Sequence, residues 1–196
     1  MSETAAERPS IRQQQTDQTR QAIFAAAQHL FATRGYTETG IRDIATSANV
    51  NPALVTRYYG SKLQLFETTL EASLGVAIFT SAGRENFGEK IAEMLCHAEG
   101  EAAGVVPAFL LSAGDTAARE STLRLLKQHV IKPLEEWFGP CEAAERAAQL
   151  MLIVTGFFTY RLMLPLNPLK GDGTVAMREW LARTLQEIVD RHPVSD

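Results

Sequence analysis

The feature that most constrains this chain is the stretch from Thr39 to Lys62, where signals that stop and start helices recur too closely for a long helix or strand to pass through. Asn49 breaks an apolar-periodic run that carries Ile41, Ile44, Ala45 and Ala48. Asn51 followed by Pro52 starts another run. The Asn side chain accepts an amide that would otherwise lack a partner, and proline at the first helical position forfeits no hydrogen bond. Gly60 ends that run, and Ser61 with Gln64 three residues later forms a capping box that opens the next. The spacing predicts a short helix over 40–48 capped by Thr39, a second to Tyr59, and a third from Ser61 to about Leu74. Upstream, Ile23, Ala26, Ala27, Leu30 and Phe31 share one face of a helix expected from Thr16, as its N-cap, to Arg34, with Gly35 as the stop.

Two short helices over 41–59 joined by a three-residue turn match a helix-turn-helix. Ala45 and Ala48 are small enough for steeply crossing helices to touch, while Ile44, Val50 and Val55 supply a shared apolar core. Asn49 occupies the turn, where a left-handed backbone is commonly required and Asn tolerates it. The outer face of the second helix carries Asn51, Pro52, Ala53, Thr56, Arg57 and Tyr58, with Lys62 just beyond. These side chains suit DNA. Ala53 permits close approach to a base or thymine methyl, Thr56 reaches a base edge, and Arg57 reads guanine or contacts phosphate. Tyr58, Lys62 and Thr39 are candidate phosphate contacts, and Arg42 on the first short helix joins the set. A solvated surface helix can carry the same residue types, so the reading rests on caps, small contact residues, turn and positive charge arriving in order.

The mean charge argues the other way, at −4 with a pI near 5.6, but the average conceals an uneven distribution. Between Arg8 and Leu65 seven basic residues face three acidic ones. From Phe66 onward twelve basic residues face eighteen acidic ones, so a basic head is joined to an acidic body.

The remaining sequence reads as further helices without strand alternation, giving an all-α chain. Phe87, Ile91, Met94, Leu95 and Ala98 mark one helix, Val105–Ser112 another, and Asp115 caps a long one bearing Leu123, Leu126, Val130, Leu134 and Trp137 that Pro133 should bend. Pro140 is expected in the first turn of a helix ending near Leu164, and a last amphipathic helix spans roughly Thr174 to Arg191. The expected organisation is a flexible polar arm over 1–15, a helix-turn-helix domain over 16–62, and a larger helical domain over 63–196. Ala147–Leu166 is long and apolar enough to raise a membrane span, but Gln149, Arg161 and Pro165 count against it. Two cysteines, Cys96 and Cys141, form neither a disulfide framework nor a metal spacing, and fit a reduced cytoplasmic setting. The histidines, His29, His97, His129 and His192, are scattered, with no metal spacing, nucleophile elbow or phosphate loop beside them. No enzymatic activity, metal or cofactor is expected.

On these residues the chain resembles the TetR family of transcriptional regulators. The similar segments are Ala-Gln-His-Leu-Phe-Ala-Thr-Arg-Gly-Tyr over 27–36, Ile-Arg-Asp-Ile-Ala over 41–45 and Val-Asn-Pro-Ala-Leu-Val-Thr-Arg-Tyr-Tyr-Gly-Ser-Lys over 50–62. Asn49 stands where the family usually has Gly, and Val55-Thr56-Arg57-Tyr58-Tyr59 replaces a frequent Leu-Tyr-x-His-Phe, which alters the residues that face the operator. The resemblance implies a homodimeric repressor that binds double-stranded palindromic DNA and is released by a small-molecule effector, through a shift of the helix that begins at Ser61.

It also implies an effector pocket in the C-terminal domain and pairing of the last two long helices with a second chain. Pocket candidates are Phe79, Phe87, Leu95, Phe109 and Trp137, together with Met151, Thr155, Phe158 and Arg161. Arg161, a cation on an apolar helix, needs a partner: an acidic side chain, the dimer mate or an anionic effector. Candidate interface residues are Leu150, Val154, Gly156, Met177, Leu181, Leu185 and Ile188, whose apolar stripes exceed what one small domain needs to bury. A DNA-binding architectural or partner-controlled regulator without an effector stays open as the alternative. A pocket with defined walls would favour sensing and a solidly packed domain the alternative.

Overall fold

The first helix is longer at its start than expected. In the computed structural model, which describes residues 11–97, 101–169, 171 and 173–190, α1 runs Ile11–Arg34. Thr16 therefore lies inside α1 and is not its cap, because the glutamine-rich run before it consists of adequate helix formers. Residues 1–10 of the expected arm, Ala98 of the predicted apolar stripe and Arg191 lie outside the described residues. Among the described residues the chain is helical, with no strand.

The short helices follow their local chemistry. Helices α2 (Ile41–Ser47) and α3 (Pro52–Tyr59) flank a turn in which Asn49 adopts φ 53°, the left-handed conformation its residue type tolerates. Asn51 Oδ1 accepts from the Ala53 amide at 2.9 Å, and Gly60 ends α3 at φ 75°. In the capping box of α4 (Lys62–Ser73) the Gln64 amide donates to Ser61 Oγ at 3.1 Å and the Ser61 amide to Gln64 Oε1 at 2.8 Å. Thr39 does not cap α2. Gly40 takes that position and its amide donates to Asp43 Oδ2 at 2.8 Å.

The body begins with a single turn, α5 (Ala77–Thr80), followed by α6 (Phe87–His97) and α7 (Glu101–Leu111). Asp115 caps α8 (Thr116–Leu126), its Oδ1 accepting from the Ala118 amide at 2.9 Å. The expected bend at Pro133 takes the form of a π-helical turn over Lys127–Ile131 leading into α9 (Lys132–Phe138), which absorbs the missing proline amide. Pro140 stays outside α10 (Ala143–Phe158), which continues as a second π-helical turn over Thr159–Met163. The last helix, α11 (Val175–Asp190), starts after Thr174, whose Oγ1 accepts from the Met177 amide at 3.2 Å.

Packing divides the apolar side chains into two cores. The body core gathers Phe87, Ile91, Leu95, Leu134, Leu150, Leu181 and Leu185. The head core gathers Ile23, Phe31, Ile44, Val55, Leu65, Phe66 and Leu70, and extends into the body through Ala108 of α7 and Ala118 and Leu125 of α8. The start of α4 is thus part of the head core, and α4 also packs on α7 and α8. No helix among the described residues is long and apolar enough to cross a membrane.

Helix α6 packs closely along α11 because Gly88 leaves no side chain at the crossing. A Cβ there would lie 2.0 Å from the Ala182 carbonyl oxygen, while the Gly88 amide donates to Gln186 Oε1 at 2.9 Å. Gly88→Ala is therefore expected to push the two helices apart and destabilise the protein by about 3 kcal/mol, lowering Tm by roughly 6–12 °C in thermal unfolding.

Candidate functional site

The face that could meet DNA is built from the core outward. Ile44, Ala45 and Val55 are fully or almost fully buried, which fixes α2 against α3, and the Val50 amide closes the turn onto the Ala45 carbonyl at 2.9 Å. The far end of α3 is tied to α1 by the Tyr59 hydroxyl, which donates to the Arg20 carbonyl at 2.8 Å. With its inner face held, α3 exposes Asn51, Pro52, Ala53, Thr56 and Arg57, and leaves Tyr58 half-buried. Arg42 is exposed on the adjoining helix. Neither Arg42 nor Arg57 is in an ion pair among the described residues, so both charges are available to an outside partner.

Two of the sequence-derived contacts belong elsewhere. Thr39 is completely buried, and its hydroxyl donates within the head to the Gly35 carbonyl at 2.7 Å, with the Leu30 carbonyl at 3.3 Å. It closes the end of α1 and presents no side chain to phosphate. Lys62 is half-buried, and its Nζ donates to the Tyr36 carbonyl at 3.0 Å while lying 4.0 Å from the centre of the Tyr36 ring. Burial, with smaller contributions from Asp115 and Glu67, raises the Tyr36 phenol above its ordinary range and keeps that ring neutral.

Behind the head lies a cavity of about 530 Å³, bounded by the end of α4 and by α6, α7, α8 and α10. Phe79, Leu95, Phe109, Met151 and Phe158 line it, as expected of pocket residues. Other candidates do not. Phe87 and Trp137 do not line it; their tilted rings pack against each other with centroids 5.2 Å apart, with the Arg84 guanidinium 4.8 Å from the indole. Thr155 lines, together with Leu152, Gly156 and Tyr160, an adjoining groove that shares Phe109, Leu126 and Met151 with the cavity. Arg161 donates to the Leu95 carbonyl and lies 5.8 Å from the Phe157 ring, so its partner is a backbone oxygen.

The sequence reading missed the α7 wall, Val105 and Val106, and the α4 end at Leu74 and Gly75. Val154, assigned to the interface, lines the cavity instead. Leu150, Leu181, Leu185 and Ile188 are similarly buried inside the protomer. Gly156 and half-buried Met177 border an outer groove beside Leu152, Tyr160 and Trp180, which are 73%, 46% and 48% exposed.

An exposed recognition helix on a basic three-helix head, joined to a helical body with a cavity, defines a helix-turn-helix regulator. The family profile for bacterial regulatory proteins of the tetR family matches residues 23–69, and that for the tetracyclin repressor-like C-terminal domain matches residues 85–189. The chain belongs to the TetR family. Over 61 residues it is 41% identical to the HTH-type transcriptional repressor NicS of Pseudomonas putida, a match covering 31% of this chain but only 29% of NicS. A TetR-family regulator from Rhodococcus sp. shares the fold at a TM-score of 0.69 and 14% identity, over 89% of this chain and 100% of that one. A transcriptional regulator from Saccharomonospora viridis, solved in complex with choline, superposes with a TM-score of 0.62 at 14% identity, over 92% of this chain and 100% of that one.

Thr39 and Arg57 give opposite expectations. Thr39→Val strips two carbonyls of a buried donor, so a loss of about 1–2 kcal/mol in chemical denaturation is expected, with DNA affinity of the folded protein unchanged. Arg57→Ala should leave stability within about 0.5 kcal/mol and weaken DNA binding by about 1–3 kcal/mol in fluorescence anisotropy.

Proposed function

We propose that this DNA-binding regulator is a homodimeric repressor that acts in the cytoplasm on a palindromic operator and is released when a small molecule fills its cavity. Two copies of α3 enter successive major grooves about 34–36 Å apart, or a multiple of that spacing. Ala53, Thr56 and Arg57 read base edges, and Asn51, Pro52, Arg42 and Tyr58 set the docking. The observation that carries the reading is that α4 serves both ends. It supplies Leu65 and Phe66 to the head core and Ala72 and Ser73 to the cavity wall.

That shared helix supports a mechanism. Glu67 of α4 accepts from Ser121 Oγ and Arg124 Nη2 of α8, each at 2.6 Å, while Ser73 Oγ accepts from Gln28 Nε2 of α1 at 3.0 Å. A ligand that displaces the cavity end of α4 therefore tilts the head, and in a dimer this changes the separation of the two recognition helices. The cavity volume lies within the range of small-molecule sites and favours sensing over an architectural role without an effector.

The dimer surface is the outer face of α10 and α11, where Leu152 and Trp180 leave apolar area exposed. A Cβ at Gly156 would meet nothing within 4 Å, so Gly156→Arg is compatible with the protomer but blocks helix approach from outside. Combined with Leu152→Glu, it is expected to yield a folded monomer in sedimentation experiments, with operator affinity reduced at least about a hundredfold because only one half-site is held at a time. The function itself is tested by anisotropy on the intergenic DNA beside the gene across salt concentrations. Tight, salt-sensitive and competitor-resistant binding supports it, and equal affinity for scrambled DNA contradicts it.

A further inference from the structure

The walls of the cavity restrict what can enter it. The surface is furnished chiefly by Leu74, Met94, Phe109, Met151, Val154 and Phe158, and no Asp, Glu, Lys or Arg is among the described residues that line it. Among the described residues that line it, the polar side chains are Ser73 and His97. The Ser73 hydroxyl is already engaged, donating to the Thr69 carbonyl at 2.9 Å and accepting from Gln28. On His97, Nδ1 lies 2.8 Å from the Glu93 carbonyl of its own helix. Arg161 does not line the cavity; its guanidinium donates to the Leu95 carbonyl and lies 5.8 Å from the centre of the Phe157 ring.

A carboxylate, phosphate or ammonium group placed among these walls would lose part of its hydration and meet no acidic, lysine or arginine side chain among the described residues that line them. A hydrocarbon or aromatic surface would instead gain apolar contact along these walls while releasing water. We infer that the ligand of this cavity is an uncharged, predominantly hydrocarbon or aromatic small molecule. The inference rests on the effector reading above and narrows it to one chemical class, excluding nucleotides, organic acids and polyamines. The three cavity phenylalanines, Phe79, Phe109 and Phe158, add aromatic wall to the cavity.

The test uses the full-length dimer and the neutral fluorophore N-phenyl-1-naphthylamine, displaced in parallel by 1-decanol, decanoate and decyltrimethylammonium below their micellar concentrations near neutral pH. Saturable binding of one probe per chain is expected, with decanol displacing it at least about tenfold more effectively than either ion, a difference of about 1.4 kcal/mol. Val154→Trp, which fills the cavity, should weaken probe binding at least about tenfold. Met94→Trp at a half-buried wall position repeats the test should Val154→Trp fail to fold, as judged by circular dichroism. Equal or better displacement by decanoate or by the ammonium overturns the inference, as does absence of saturable probe binding or binding indifferent to the folded filling variant. Operator affinity read in the same samples separates the two claims. Decanol preference with no change in operator affinity overturns effector release and leaves the ligand class standing.

Discussion

The Phe31 and Phe66 rings pack edge to face with centroids 5.1 Å apart, and Tyr36 packs against Phe66 at the same distance. These three rings hold α4 against the end of α1, while Ala108, Ala118 and Leu125 close the same core from the body side. The head is therefore not a bead on a linker. Where α1 ends, Gly35 takes φ 81° and its missing side chain lets Leu111 of α7 approach, since a Cβ there would lie 2.8 Å from that of Leu111. Core packing of this kind does not deform continuously. A change in the body wall must be absorbed by moving α4, α7 or the head itself.

Charge is arranged in keeping with that division. The body contains arginines, but several are spent internally. Arg146, almost fully buried, donates to the Ile188 and Val189 carbonyls at 2.8 and 2.7 Å and closes the end of α11, while Arg84 donates to the carbonyls of Trp137 and Phe138 at the end of α9. Arg161 serves the Leu95 carbonyl in the same manner. In the head, Arg42 and Arg57 stay exposed on α2 and α3. An acidic average thus coexists with a basic reading surface because the body's acidic residues outnumber its basic ones while the head's basic residues outnumber its acidic ones.

How much of this was legible in the sequence depended on the range of the interaction. The starts at Asn51-Pro52, Ser61 to Gln64 and Asp115, and the left-handed Asn49, are local chemistry within three residues, and each stands where the pattern placed it. Thr39 was misplaced because its hydroxyl turns back to the Gly35 and Leu30 carbonyls at the end of α1, a use of the side chain that competes with capping the helix ahead of it. The interface residues illustrate a different difficulty. Helix α10 is apolar on more than one side, so periodicity alone could not tell that Leu150 faces inward and Leu152 outward. Five of nine pocket candidates line the cavity, while Phe87 and Trp137 were drawn off by an aromatic stack of their own.

The central claim is that the head core extends through α4 onto α7 and α8 of the body, so that the cavity's state reaches the recognition helix. Native-state hydrogen exchange across a denaturant series measures this directly, comparing amides in α1 and α4 with those in α7 and α8. The account predicts that the most protected amides of all four helices open with one free energy and one denaturant dependence. A head whose amides open at lower free energy as a separate unit, with α7 and α8 still protected, would contradict it.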